Sequence, residues 1–522
     1  MSSQDFTRAQ YAPAVARGPL SRLHNHRQTL NVGVSWANSI LAAGGALIVT
    51  PAVLGALGVR DYGIWLLIIS FVGQLRVLDL GMSSGCMKFS AGALASGERT
   101  QLARVFHSSA AIFIVLGTLA LLGTLALMHG LPLLYPAMLG NLQGVIGLLG
   151  LGTALEFFFR PYAASLRARS LFFVYDGVEI VTYTIFKLGL VLYLSYLGMS
   201  LWTLCLLTLA ETIVRNGLIF LLSLKYCRWT SLPDLRQLDR LMLGKLLGFS
   251  GACFLIGVAE VFRVQFQTAA IGYFAADAPR AITIYGIGLR LVWLASSSIG
   301  VIWAVLIPRF SELTEQGDLA AAVKLLRRSS LTTGLLTTFA LVNLAVFGQS
   351  FLHLWINKPW VHESYLITLL ALPGYFFAML QGPAIGFLTG AGRMKWQTAV
   401  AVADALVSAG LILLLVKPFG IIGVCVGMTL PALFSRTVVF PWILKKEFQL
   451  PLREAYGMHA TTLLVAASYL AAIFGFAFIP YTNFIHFLAA CLASALIFCA
   501  VLALWVPQVR RKIGSWLLAL GS

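Results

Sequence analysis

The stretch Val53–Ala103 reads VLGALGVRDYGIWLLIISFVGQLRVLDLGMSSGCMKFSAGALASGERTQLA. It holds the end of one apolar segment, a tight turn over Gly58–Gly63, and a second apolar segment that closes on Arg76, Asp79 and Gly81. A polar, basic stretch follows. That order describes a transmembrane hairpin: out through the bilayer, a short turn, back again, and a landing on the water side. Pieces of the stretch recur. Tyr62-Gly63 returns as Tyr285-Gly286, 223 residues on, and Ser108-Ser109 returns as Ser329-Ser330, 221 residues on. The chain therefore reads as two related halves.

Composition agrees with a membrane protein. Hydrophobic residues make up 59% of the chain and charged residues 11%, which excludes a soluble globular domain. A net charge of +18 would suggest nucleic acid in a soluble protein; here it fits loops held on the cytoplasmic side, and no nucleic-acid partner is expected. The seven cysteines form no CxxC pair and mostly lie in apolar runs, so they read as small buried hydrophobes. The first apolar run begins near Asn31, is too long for a cleavable signal peptide and lacks a cleavage pattern.

The apolar runs predict an all-α, polytopic membrane protein of about fourteen transmembrane helices, since helices satisfy their own backbone in lipid and no barrel-like alternation occurs. Of the 37 Lys and Arg residues, 26 fall on one side of these spans and four (Arg60, Arg280, Lys358, Lys417) on the other. That bias places both termini in the cytoplasm. The expected organisation is a basic cytoplasmic tail over 1–29, a six-helix bundle over 30–240, its parallel repeat over 241–445, and two extra helices with a basic tail over 446–522. Outer loops are short, and the inner loops 224–243 and 307–328 are longer, basic and partly helical; neither is long enough to fold alone.

Charges inside the spans each need a reason, because one near the bilayer centre costs about 2.5–3.5 kcal/mol on insertion scales. Four pairs have helical spacing: Arg76/Asp79, Glu156/Arg160, Glu211/Arg215 and Glu260/Arg263. Lys187 and Arg290 lie mid-span with no acid three or four residues away, and Arg436 has none in its span. Glu179, Tyr183 and Lys187 are spaced by four and share a helix face. Two readings follow. One is a cationic cavity between the halves for an anionic group, phosphate above all, built from Lys187, Arg263, Arg290, Arg215 and Arg436. The other is interhelical salt bridges that only support packing. The acids Asp176, Glu179 and Asp404 are candidates for a coupling proton or sodium ion, or simply balance the arginines. No other cofactor and no bound metal is expected: His353, His362 and Glu363 fit no ligand spacing, and Gly390-Ala391-Gly392 reads as a tight turn.

The run LIVTPAVLGALGVRDYGIWLLIISFVGQLRVLDLGMSSGCMKFSA (47–91) resembles the N-terminal signature of Wzx-like polysaccharide-biosynthesis flippases of the multidrug/oligosaccharidyl-lipid/polysaccharide exporter superfamily. The first-helix proline, the LG…YG turn and the LDLG close carry the likeness. The run IYGIGLRLVWLASSSIGVIWAVLIPRFSEL (284–313) resembles helices seven and eight of that family, and the likeness extends over about residues 30–445. It implies an exporter of twelve to fourteen helices that alternates access between two bundles. The implied substrate is a polyprenyl-pyrophosphate-linked oligosaccharide moved to the periplasmic leaflet of the bacterial inner membrane for O-antigen or exopolysaccharide assembly. Implied partners are membrane lipid, that substrate, and polysaccharide polymerase and assembly proteins. No covalent chemistry is expected. A cation-coupled multidrug exporter of the same superfamily stays open, as does, from another class, a membrane polysaccharide polymerase, against which the short outer loops argue. A purely structural scaffold of a polysaccharide-assembly complex is a third alternative.

Overall fold

The computed structural model describes residues 19–79, 81–96, 98–139 and 142–506; most of the expected N-terminal tail and the basic C-terminal tail, 1–18 and 507–522, lie outside the described residues. Every regular element among the described residues is a helix. In chain order these are α1 (Pro19–Gln74), α2 (Met82–Ser96), α3 (Arg99–Leu134), a single turn α4 (Pro136–Leu139), α5 (Gln143–Ala168) and α6 (Phe172–Glu179), which runs through a π-helical segment, Ile180–Lys187, into α7 (Leu188–Leu197). Then come α8 (Leu201–Tyr226), α9 (Arg240–Phe274), α10 (Ala278–Glu315), α11 (Leu319–Ile356), α12 (Val361–Leu380), α13 (Gly382–Gly390), α14 (Met394–Phe434), α15 (Phe440–Phe448), α16 (Leu452–Ile473) and α17 (Phe484–Trp505).

Eleven stretches among the described residues are long and apolar enough to cross a membrane, so this is a multi-pass membrane protein. Two of them, Gly33–Asp79 and Met394–Phe448, run to 47 and 55 residues. Straight, they would measure about 70 and 80 Å, more than twice the ~30 Å hydrocarbon core. Each bends at one glycine: Gly58 takes φ 76° and Gly420 φ 56°, backbone that only glycine adopts cheaply. At Gly420 the chain folds back on itself, since a Cβ on Gly427 would lie 2.9 Å from the Ile412 nitrogen. The loop expected over Gly58–Gly63 is thus compressed into a one-residue break, with helix on both sides.

Two other expectations change. The inner segment 307–328 is almost wholly helical, with α10 and α11 separated only by Gln316–Asp318, and Asp318 caps α11 by accepting the Ala321 N–H at 2.9 Å. The segment 227–239 remains irregular and is tied down: Tyr162 donates to the Ser231 carbonyl at 2.9 Å, and the Asp234 N–H donates to His107 Nδ1 at 3.1 Å.

Backbone features recur at the spacing of the sequence repeat. Ser170 and Gly392, both in left-handed backbone, open the helices α6 and α14, and Gly198 and Gly420 close the corresponding crossings; each pair is 222 residues apart. The repeated Tyr-Gly pairs meet at the contact of α1 with α10. Gly63 lies against the Pro279 backbone, and a Cβ on Gly286 would meet Leu66 at 2.7 Å. Thr283 adds a hydrogen bond to the Val59 carbonyl at 2.7 Å. Helices α16 and α17 attach to α11 through polar groups: Asn343 donates to Tyr469 Oη at 2.7 Å and accepts from Ser494 Oγ at 2.7 Å. Of the cysteines, 86, 205, 227 and 425 are buried, as expected of small hydrophobes, whereas Cys499 is exposed on α17.

Candidate functional site

A cavity of about 380 Å³ opens among α1, α5, α7, α8 and the π-helical segment, and Arg290 of α10 reaches into it. A second pocket of about 290 Å³ adjoins it, lined by Asp79, Arg160, Arg167, Tyr175 and Arg215; Glu156 lines both. The π-helical turn matters locally. Its wider i→i+5 pattern breaks the strict four-residue face expected for Glu179, Tyr183 and Lys187, and such turns recur at functional sites. Glu179 turns toward α1 and α8, where it accepts from Asn38 at 3.1 Å, from Tyr175 at 2.8 Å and from Arg215 at 3.5 Å. Lys187, with Tyr183, lines the larger cavity.

The intramembrane ion pairs are not all local. Arg76 and Asp79 do not pair with each other, nor do Glu156 and Arg160: Arg76 binds Glu156 at 3.1 Å and Arg160 binds Asp79 at 2.7 Å. The partners are exchanged because the end of α1 lies alongside α5, which brings the acid of one helix nearer the cation of the other. The other two spacings hold within their helices, Glu211–Arg215 at 2.9 Å and Glu260–Arg263 at 2.6 Å. Arg215 also reaches Glu156 at 2.9 Å, so it serves three carboxylates, and Glu211 in turn is 4.0 Å from the Lys187 ammonium. Glu211 is only 3% exposed, a burial that a carboxylate tolerates only among cations. Arg290 differs. Its guanidinium has no ion pair among the described residues, stands 5.6 Å from the Trp293 ring centroid, and its buried Nε has no hydrogen-bond partner.

The remaining expected cations sit elsewhere. Arg263 and Arg436 face a pocket of about 50 Å³ in the second half, with Tyr375 and Asp404. Arg436 lies 3.9 Å from Asp404, which accepts the Ser435 hydroxyl at 2.8 Å. The five cations therefore fall into two groups: Lys187, Arg215 and Arg290 at the larger cavities, Arg263 and Arg436 at the smaller one. Of the candidate ion-coupling acids, Asp404 belongs to the second group and Glu179 to the first; Asp176 accepts the Ser35 hydroxyl beside it. Among the described residues no cluster of three or more His, Cys, Asp or Glu side chains could hold a metal; Glu363 is taken by Arg280 at 2.7 Å.

Sequence reasoning missed the aromatic wall of the cavity. Tyr62 and Trp65, 5.5 Å apart, line it, and the Trp65 Nε1–H is buried without a partner. The signal lay in the quoted stretch, where Tyr62 and Trp65 stand one helical turn apart on α1.

Over residues 56–364 the chain matches the family described as "Polysaccharide biosynthesis protein". It belongs to that family. Membership rests on more than half of its length and includes both Tyr-Gly repeats. Among solved structures, the lipid II flippase MurJ in an inward closed conformation is similar at 12% identity, over 92% of this chain and 99% of that one, with a TM-score of 0.71. An inward-facing multidrug resistance MATE family transporter of the MOP superfamily is similar at 15% identity, over 78% of this chain and 95% of that one, with a TM-score of 0.57. A MOP superfamily transporter from Pyrococcus furiosus matches at 15% identity, over 80% and 92%, with a TM-score of 0.52. At such identities the likeness is one of fold: this family member has the MOP superfamily architecture. No curated protein matches the chain significantly.

Proposed function

We propose that the protein is a flippase of the bacterial inner membrane that moves a polyprenyl-pyrophosphate-linked oligosaccharide from the cytoplasmic to the periplasmic leaflet. The bundles 30–240 and 241–445 would alternate access by rocking against each other, with 446–522 carried alongside. The observation that carries this reading is Arg290: a guanidinium without an acid partner, aimed into a cavity whose other charges are paired. An unmatched cation in lipid is costly and calls for an anion brought by the substrate. Guanidinium and pyrophosphate oxygens match in geometry as well as charge. Lys187 and Arg215 would then exchange carboxylate for phosphate partners during passage. The coupling ion, proton or sodium, would engage Asp176, Glu179 or Asp404, and the polymerase and assembly proteins would receive the product.

The test is a deletion strain assayed for surface polysaccharide and for lipid-linked oligosaccharide in each leaflet. Complete lipid-linked units trapped on the cytoplasmic face, with surface polymer lost, support the proposal. Units that reach the periplasmic face unpolymerised overturn it in favour of a polymerase. The carboxylates Glu156, Glu179 and Glu211 around the same cavity favour a second reading, a cation-coupled drug exporter; normal polysaccharide with raised drug sensitivity would select it.

A further inference from the structure

Away from the cavities, the two arms of α14 and the start of α15 enclose an apolar crevice of about 500 Å³. Its walls include Ala403, Val407, Leu411, Leu430, Phe434 and Val439, and Trp396 and Trp442 stand at its mouth. Leu430 and Phe434 are exposed, Phe434 by 61%, so the crevice opens on the surface that faces lipid. From Trp396 to Leu411 the helix rises about 22 Å, enough to lodge one acyl chain through a leaflet whose share of the hydrocarbon core is about 15 Å.

The mouth is built for a headgroup. Trp396 and Trp442 meet edge to face at 5.6 Å, the amphipathic pairing found at membrane–water boundaries. Lys446 places its ammonium 4.4 Å from the Trp396 ring centroid and 4.8 Å from that of Trp442. Lys395 lies 5.7 Å from the Trp396 ring. The acid at this mouth, Glu447, is already engaged: Trp396 Nε1 donates to it at 2.5 Å and Arg393 pairs with it at 3.4 Å. The two lysines keep their charge unmatched by carboxylate among the described residues, and both are exposed.

We propose that this crevice is a binding site for one anionic phospholipid, with an acyl chain between the arms of α14 and the phosphate at Lys395 and Lys446. An apolar slot alone would accept any lipid tail; the excess cation at its aromatic mouth selects the headgroup, since each basic residue near an anionic lipid contributes about 1 kcal/mol. Asp404 closes the floor of the crevice and is the same side chain that pairs with Arg436 on the other face of α14. The bound chain therefore seals that pair from the lipid side.

The test is native mass spectrometry of the full-length protein titrated with phosphatidylglycerol and, separately, with phosphatidylcholine of the same chains. Wild type is expected to retain one phosphatidylglycerol at least tenfold more tightly than phosphatidylcholine. The variant Lys395→Gln/Lys446→Gln should lose that preference while keeping its melting temperature. Ala403→Phe, which fills the slot and leaves the lysines in place, should lose the bound lipid altogether. Equal retention of the two lipids by wild type, or unchanged retention in both variants, overturns the proposal. So does displacement of the lipid by inorganic phosphate, which would make the mouth a site for free anion. None of these readouts depends on transport, so the proposal can fail or stand separately from the flippase reading.

Discussion

Lys187 and Arg290 face one cavity from the two halves of the chain, yet only Lys187 has a carboxylate within ion-pair distance, Glu211 at 4.0 Å. The first is held by the protein; the second is left for something that arrives. If so, Arg290→Ala removes a ligand contact and little else. Export of surface polysaccharide should fall at least tenfold, the size of one lost charge-assisted hydrogen bond of about 1.5–3 kcal/mol, with normal protein in the membrane. Arg290→Lys should recover part of it. Normal export at normal protein level would remove Arg290 from the site.

Arg215 should behave in the opposite way. Its loss leaves Glu156, Glu179 and Glu211 short of a cation, and Glu211 is nearly fully buried. Breaking a buried pair from one side costs about 3–5 kcal/mol. Arg215→Ala should therefore melt markedly earlier in detergent and accumulate poorly in the membrane. A variant as abundant and as heat-resistant as wild type would show that the three acids find other partners.

The exchanged pair Arg160–Asp79 gives a coupling test. Each of Asp79→Asn and Arg160→Gln should destabilise alone, and the double variant should cost less than their sum, by about 0.5–3 kcal/mol of interaction energy. Additive shifts in melting temperature would mean the two side chains do not communicate.

Gly63 sits where any Cβ would overlap the Pro279 backbone at the contact of α1 with α10. Gly63→Val should force that contact apart at an overpacking cost of about 1–3 kcal/mol. A cysteine placed at Thr283 should then react faster with a membrane-impermeant thiol reagent than in a Gly63 background. Unchanged reactivity would argue that this end of the bundle tolerates the methyl groups without opening.

The polar clasp on α11 makes a separate prediction. Asn343→Leu removes both the donor to Tyr469 and the acceptor for Ser494. Interhelical hydrogen bonds in lipid average near 0.6 kcal/mol, so the loss should be modest, about 1 kcal/mol, and visible as earlier protease cleavage between α16 and α17. Cleavage at the wild-type rate would assign the docking of these helices to aromatic packing alone.

Much of the architecture was legible because a bilayer leaves few options: apolar runs of the right length must be helices, and the Tyr-Gly and Arg repeats at a shift near 222 announced the duplication before any coordinates. What the sequence could not supply was anything that depends on which helices become neighbours. Arg76 and Asp79 are spaced to pair on one helix, and only the approach of α5 redirects them. Arg263 and Arg436 carry the same chemistry as Arg290, but their helices lead them to Glu260 and Asp404 in a pocket too small for a sugar. The one-residue breaks at Gly58 and Gly420 were similarly hidden, because a reversal on a single glycine leaves no loop composition to read.

The crossed pairs between α1 and α5 bear on how the chain enters the membrane at all. The spacing that suggested local pairing is real chemistry for a helix still alone: Arg76 can shield Asp79, and Glu156 can shield Arg160, while each segment leaves the translocon. When the segments meet, the partners trade, and what was intramolecular screening within one helix becomes a bond between two. Biogenesis then needs no stage at which a bare charge faces hydrocarbon, and the trade itself rewards the arrival of the correct neighbour.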